Sequence, residues 1–489
     1  MVQRTNRRYV TFGILVATFL AAIEGTIVST AMPTIVGELG GLGLISWVVS
    51  MYLLTSAVTT PIYGKMADLY GRKIVFAVGT LLFLLGSMLS GLAQTMEQLI
   101  WFRAFQGLGA GGILTMTFTI IGDIYPHEER GKVQGWMSGV WGIAGIFGPL
   151  TGGFLVDYVS WRWIFYMNLP FGILSLLLIW LFLQETFEKK KKHVDYPGAI
   201  TFTVSMTASL YALLTGGTTY AWGSVEILAL IAVFFISFSV FLYLQTKSPE
   251  PILPLSLFKN RMLTVSYLSG FVLCVVLVGI TFYLPLWIQG IYGTGATGSG
   301  LTLLPMSIGW PIGAMISGRF SITRGSKTAS LIGTCTLIIG SVWLAVVHTE
   351  SPHWMLYAIM FIVGLGFGFV ITALTLTVQS AVDWTQRGTA MGTNTFLRSL
   401  GQTIGIAFLG TVFNQSMAGF AEQHPAVDLN LILNPETAGQ LPADLLQLMR
   451  DALAGSLHTV FVVLAGTSII ALLICFLMQR DKEKNQEAV

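Results

Sequence analysis

Gly64-Lys65-Met66-Ala67-Asp68-Leu69-Tyr70-Gly71-Arg72-Lys73 returns, worn, as Gly318-Arg319-Phe320-Ser321-Ile322-Thr323-Arg324-Gly325-Ser326-Lys327. Both copies keep two glycines at the same separation and end on lysine, while Asp68 becomes Ile322 and Arg72 becomes Ser326. Each copy is a short charged turn between two long apolar runs. A turn repeated in this setting implies two equivalent halves of a membrane protein, an organisation typical of transporters.

The rest of the chain agrees with that reading. Of its 489 residues, 54% are hydrophobic and only 10% charged, and the mean hydropathy is +0.74. A soluble domain carries roughly 25% charged residues, so lipid is the expected solvent for most of this surface. About 20 residues of helix cross the hydrocarbon core. Fourteen runs meet that length: 10–33, 44–63, 74–93, 98–121, 133–157, 163–183 and 196–215, then 223–244, 263–288, 298–320, 327–348, 353–377, 388–413 and 456–478. The fold class is therefore an all-α polytopic membrane protein. No cleaved signal peptide is expected, because the first run is too long and lacks a clear small-residue cleavage site.

The loop copies equate spans two and three with ten and eleven. Residues 1–184 and 262–489 then form two halves of six spans each, and 185–261 hold a charged linker and an inserted helix pair. A long external loop is read at 416–455, where Leu441, Leu445 and Leu448 share one face of a short surface helix. Lysine and arginine set the orientation. Arg4, Arg7 and Arg8, the first repeat loop, Lys189 to Lys192, and Arg480, Lys482 and Lys484 all fall on one side, against only Arg162 and Arg450 on the other. That bias expects both termini in the cytoplasm.

Several classes are excluded. Cys274, Cys335 and Cys475 lie far apart in apolar runs, which fits neither a zinc site nor a disulfide framework. No nucleophile–base constellation and no phosphate loop is found, so neither catalysis nor ATP use is expected. Gly107 to Gly112 look like a dinucleotide fingerprint but lie inside a span with no preceding strand. A net charge of +3 gives no case for nucleic acid. No metal or cofactor is expected, and the chain is read as a monomer.

The assembled pattern resembles the major facilitator superfamily, specifically its fourteen-span drug:proton antiporter branch. Gly64, Asp68, Gly71, Arg72 and Lys73 match the hallmark loop of the superfamily, and Arg103-Ala104-Phe105-Gln106-Gly107 matches its Arg-x-x-Gln-Gly motif. Gly135 through Gly153 resemble the antiporter motif, including Gly145, Gly148, Pro149, Gly152 and Gly153, with Ala144 where glycine is frequent. Thr26 to Pro33, Trp161 to Phe165 and Arg398-Ser399-Leu400-Gly401 are similar to signatures of the fourteen-span branch. Glu24 stands where that branch usually has aspartate. The resemblance implies proton-coupled export of lipophilic, cationic drugs or toxic compounds across a bacterial cytoplasmic membrane. It also implies a part in proton transfer for Arg103. The expected partners are small lipophilic substrates, protons and the bilayer. The alternatives are export of a metabolite, peptide or lipid-like molecule and, remotely, a non-transporting sensor.

The residues themselves carry part of this. Glu24 shares a helix face with Gly13, Ala17, Ala21, Val28 and Ala31, and a mid-membrane carboxylate costs roughly 2.5–3.5 kcal/mol on insertion scales. A site that holds either a proton or a cation couples their movements, whereas a carboxylate paired permanently with an arginine only fixes packing. A lone carboxylate serves sodium as well as protons. Arg103 carries the same two readings. Asp68 and Arg72 read as a conformational latch at a helix end, or as charge that sets topology. The glycine row with Pro149 reads as a hinge or seal, or as ordinary close packing. Trp141, Tyr283, Asn394 and Arg398 are the candidates for the wall of a cavity, along with further aromatics such as Trp287 and Trp310.

Overall fold

The computed structural model describes residues 5–185, 195–217, 219–249, 251–383, 386–424, 427, 429–433 and 435–479. Arg4, the lysines at 189–192 and the basic tail from Arg480 lie outside that description, as do the side chains of Asp68 and Ile322. Among the described residues, fourteen helices are long and apolar enough to cross a membrane. They are α1 (Arg7–Leu39), α2 (Ile45–Tyr70), α3 (Arg72–Gly91), α4 (Met96–Ile124), α5 (His127–Tyr158), α6 (Trp163–Phe182) and α7 (Tyr196–Thr215). There follow α8 (Val225–Lys247), α9 (Arg261–Gly290), α10 (Ala296–Arg324), α11 (Ser326–Ala345), α12 (His353–Ser380), α13 (Arg387–Gln423) and α14 (Ala443–Phe476).

Both repeated turns fold alike, and their glycines show why. Gly71 joins α2 to α3 at φ +90°, and Gly325 joins α10 to α11 at φ +85°. With ψ near 150° at both, this is a region that only glycine occupies without strain. The retained lysines also act alike. Lys73 Nζ donates to the Leu183 carbonyl at the end of α6 (3.1 Å), and Lys327 Nζ to the Phe476 carbonyl at the end of α14 (2.9 Å). A cation there meets the orphan carbonyls of a helix end and its negative dipole. At Gly71 a Cβ would also lie 2.8 Å from Glu185 Oε2. Gly71→Ala is therefore expected to cost about 1–3 kcal/mol, read as a lower melting temperature of the purified protein.

The helices group into two compact units. One takes Met1–Ile252, Thr281–Leu301 and Ile406–Leu457; the other takes Leu253–Ile280, Thr302–Gly405 and His458–Val489. In the first, α1 packs on α4, α5 and α6, α4 packs on α2 and α3, and the inserted pair α7 and α8 pack on each other. In the second, α11 packs along α12. The segment read as loop 416–455 is helical at both ends, since α13 runs on to Gln423 and α14 starts at Ala443. Leu445 and Leu448 thus lie in the first turns of α14 itself. Hydropathy marks the lipid-immersed stretch of a helix, and nothing in these polar extensions stops the helix where the lipid ends.

Candidate functional site

Glu24 sits midway along α1 and is 1% exposed. Its Oε1 pairs with Arg103 Nη1 of α4, and its Oε2 accepts from Asn168 Nδ2 of α6 at 2.7 Å. Arg103 is equally buried, donates to Gln106 Oε1 at 2.7 Å, and lies over the Tyr52 ring with its guanidinium carbon 4.1 Å from the centroid. Asn168 Nδ2 also reaches Ser87 Oγ (2.9 Å), and that hydroxyl donates to the Phe165 carbonyl (2.8 Å). Among the described residues this is the one ion pair with both members almost wholly buried; the others are partly exposed. Five helices therefore converge on one carboxylate.

Asn168 escaped the sequence reading, although a signal was present. It is a polar residue in an apolar run, two positions before Pro170. Proline lacks an N–H and crowds the carbonyl four residues back. The helical path breaks at Met167, and Asn168 restarts it. Glu38 was missed too. Its carboxylate accepts from Trp161 Nε1 (2.7 Å) and Arg162 Nη1 (2.6 Å), which explains why tryptophan and arginine stand together at the start of α6.

The remaining candidates are spread more widely. Arg72 pairs with Asp123 at the end of α4 (2.8 Å), and its backbone N–H donates to Glu185 Oε1 (2.8 Å). Both partners belong to the same compact unit as Arg72. Gly64 faces Thr115. On α5 the glycine row divides. A Cβ at Gly148 would strike Thr26, and at Gly152 it would lie 2.6 Å from Ile27 Cγ1 and 2.8 Å from Thr30 Oγ1, all on α1. A Cβ at Gly153 would lie 2.5 Å from Thr297 Cα, and the Pro149 carbonyl faces Gly300. Next to them Asp157 accepts from the Ala296 and Thr297 N–H groups, each at 2.8 Å, and so caps α10. Gly139 and Gly142 have nothing within 4 Å. Gly145 lies between these two groups on the same helix.

Trp141 is exposed on α5, whereas Tyr283 is buried with its hydroxyl 2.9 Å from that of Ser46. Trp287 is buried, and Trp310 stacks on Phe367. Asn394 and Arg398 lie on α13, apart from the Glu24 cluster in sequence and in unit. Among the described residues no group of three or more His, Cys, Asp or Glu side chains could hold a metal.

A family model described as Major Facilitator Superfamily matches residues 14–406. The chain belongs to the major facilitator superfamily. Its fourteen spans fit the fourteen-span multidrug branch of these transporters, and its family and relatives are transporters rather than enzymes. This major facilitator is 36% identical to Multidrug resistance protein 3 of Bacillus subtilis (strain 168), with 99% of this chain and 97% of that protein aligned. It is 34% identical to the Multidrug transporter protein MdtP of the same organism, over 100% of this chain and 98% of the relative. Among solved structures it is similar to a bacterial homologue of the human lysosomal transporter Spinster (TM-score 0.68, 16% identity, 96% and 97% covered). It is also similar to a D-xylose-proton symporter (TM-score 0.66, 13% identity, 98% and 99% covered). At such identities the likeness is one of fold.

Proposed function

We propose that this major facilitator is a proton-coupled antiporter that exports lipophilic, cationic compounds across a bacterial cytoplasmic membrane, as a monomer with both termini in the cytoplasm. The observation that carries the reading is the buried Glu24–Arg103 pair with its Asn168 bond. Ionised, the pair is neutral overall. A proton on Glu24 leaves Arg103 uncompensated, so the cluster becomes a net cation that repels a cationic substrate. Proton and substrate then exclude one another electrostatically, which is the requirement for exchange. With one proton per monovalent cation the cycle moves no net charge.

The names of the two Bacillus relatives support a multidrug range, and the lysine and arginine bias supports the orientation. The close seat of Gly153 against Thr297 and the Asp157 cap support a seal at that end of α5. The Arg72 pairs support a cytoplasmic turn that holds α3, α4 and the end of α6 together, with Asp68 and Arg72 biasing alternating access. Dye efflux from vesicles under an imposed pH gradient tests the proposal. The native chain should respond to the gradient, and Glu24→Gln, which keeps the shape but cannot ionise, should lose that response. Undiminished gradient-driven efflux in the variant rules out Glu24 as the coupling group.

A further inference from the structure

The second unit holds a half-buried arginine, Arg398, with which no carboxylate pairs among the described residues. Arg398 Nη2 donates to the Thr375 hydroxyl at 3.1 Å and, at 3.4 Å, to the Ile371 carbonyl, both on α12. Neither acceptor is charged. Its Nε is buried without a partner. One turn earlier on α13, Asn394 is 1% exposed, and neither its amide nitrogen nor its oxygen has a partner. The two side chains meet over Gly270 of α9, where a Cβ would lie 3.3 Å from Arg398 Nε and 3.7 Å from Asn394 Oδ1. Glycine leaves that space open.

Arg103 shows what is missing. It is buried more deeply than Arg398, and a carboxylate answers its charge. A guanidinium N–H that is buried and idle beside an idle amide is costly unless something periodically fills the gap. A compact oxyanion suits it: one oxygen accepts from Arg398 Nε–H and another from the Asn394 amide N–H, a charge-assisted pair of hydrogen bonds.

We propose that Arg398 and Asn394 form a subsite for an oxyanion, the carboxylate or phosphate end of an amphiphile. This rests on the exporter reading and adds a substrate class to it: compounds that carry an acid group as well as a lipophilic cation.

Two dyes separate the acid from the rest of the molecule. Rhodamine 110 has a free carboxylate, and rhodamine 123 is its methyl ester on the same cationic ring system. Binding to the full chain in nanodiscs is read by fluorescence anisotropy. Arg398→Gln should raise the Kd of the acid by about tenfold, which is roughly 1.4 kcal/mol, and leave that of the ester within about twofold. Asn394→Leu should discriminate in the same direction, and Arg398→Lys should fall between the native chain and Arg398→Gln. Retained ester binding shows that each variant is folded. Equal losses for acid and ester in both glutamine and leucine variants, or acid binding unchanged by either, overturn the subsite.

Gradient-driven uptake of the same dyes into vesicles distinguishes the two proposals. If the ester is transported but the variants do not discriminate, the subsite fails and the exporter stands. If the variants discriminate in binding but neither dye is transported, the exporter fails and the subsite stands. Nanodiscs of phosphatidylglycerol and of phosphatidylcholine identify the source of the oxyanion. Competition by phosphatidylglycerol that is lost in Arg398→Gln assigns the site to the phosphate of an anionic lipid headgroup, and its absence assigns the site to the substrate's own acid.

Discussion

Replacing Arg103 by methionine should destabilise the protein more than removing the whole ion pair does. The single change leaves the Glu24 carboxylate buried with only Asn168 Nδ2 to answer it. Breaking a buried pair from one side costs about 3–5 kcal/mol, because a charge is left without compensation in a medium that solvates it poorly. Replacing both partners with apolar side chains removes the charge altogether, and such exchanges are frequently neutral. Glu24→Met combined with Arg103→Met should therefore recover most of the lost melting temperature. Gradient-driven export should be absent from both variants. Stability and coupling thus part company in one experiment. Equal destabilisation by the single and double changes would show that the two residues do not act as a pair. Export that still follows the pH gradient in the double variant would show that the proton moves elsewhere.

The sequence made the scaffold legible through its turns and left the site's partners dark. Gly71 and Gly325 could be matched by spacing alone, because a backbone region closed to other residues demands glycine at both. Lys73 and Lys327 were matched as well, yet their function as caps depends on α6 and α14 ending beside them, which no local pattern encodes. Glu24 and Arg103 stood out as charges in apolar runs. Their pairing was not readable, since α1 and α4 are apolar on almost every face and periodicity gives no preferred side. Asn168 and Ser87 stayed hidden for the same reason: single polar residues in a span are common, and only the meeting of α1, α3 and α6 turns them into a network. The step that takes Gly64 to Gly318 also takes Ser87 to Ser341, whose hydroxyl lies 3.1 Å from that of Ser468 on α14. A polar contact between α11 and α14 thus stands at the repeat-related position, with no carboxylate joined to it among the described residues.

Gly148→Val should abolish export, whereas Gly142→Ala should leave it intact, though both glycines lie in the same row of α5. The difference is in what stands opposite. A Cβ at Gly148 overlaps the Thr26 hydroxyl and comes within 3.2 Å of Thr26 Cβ and 3.3 Å of Ile23 Cγ1, while one at Gly142 meets nothing within 4 Å. Thr26 cannot easily yield, because its hydroxyl is bonded back to the Ile23 carbonyl at 3.0 Å. Valine must then push α1 and α5 apart, at about 1–3 kcal/mol for an overpacked interface. Ile23 and Thr26 flank Glu24 in sequence, so the displacement falls on the carboxylate whose partners come from α4 and α6. A shift of that helix lengthens the Arg103 and Asn168 contacts and disturbs the proposed coupling group without touching it. Thr26→Ala removes the hydroxyl in the way and should restore part of the export to Gly148→Val. Initial efflux rates of the native chain and the three variants, normalised to protein in the membrane, decide the matter. If Gly142→Ala is as damaging as Gly148→Val, the row acts through helix flexibility and not through its seat on α1.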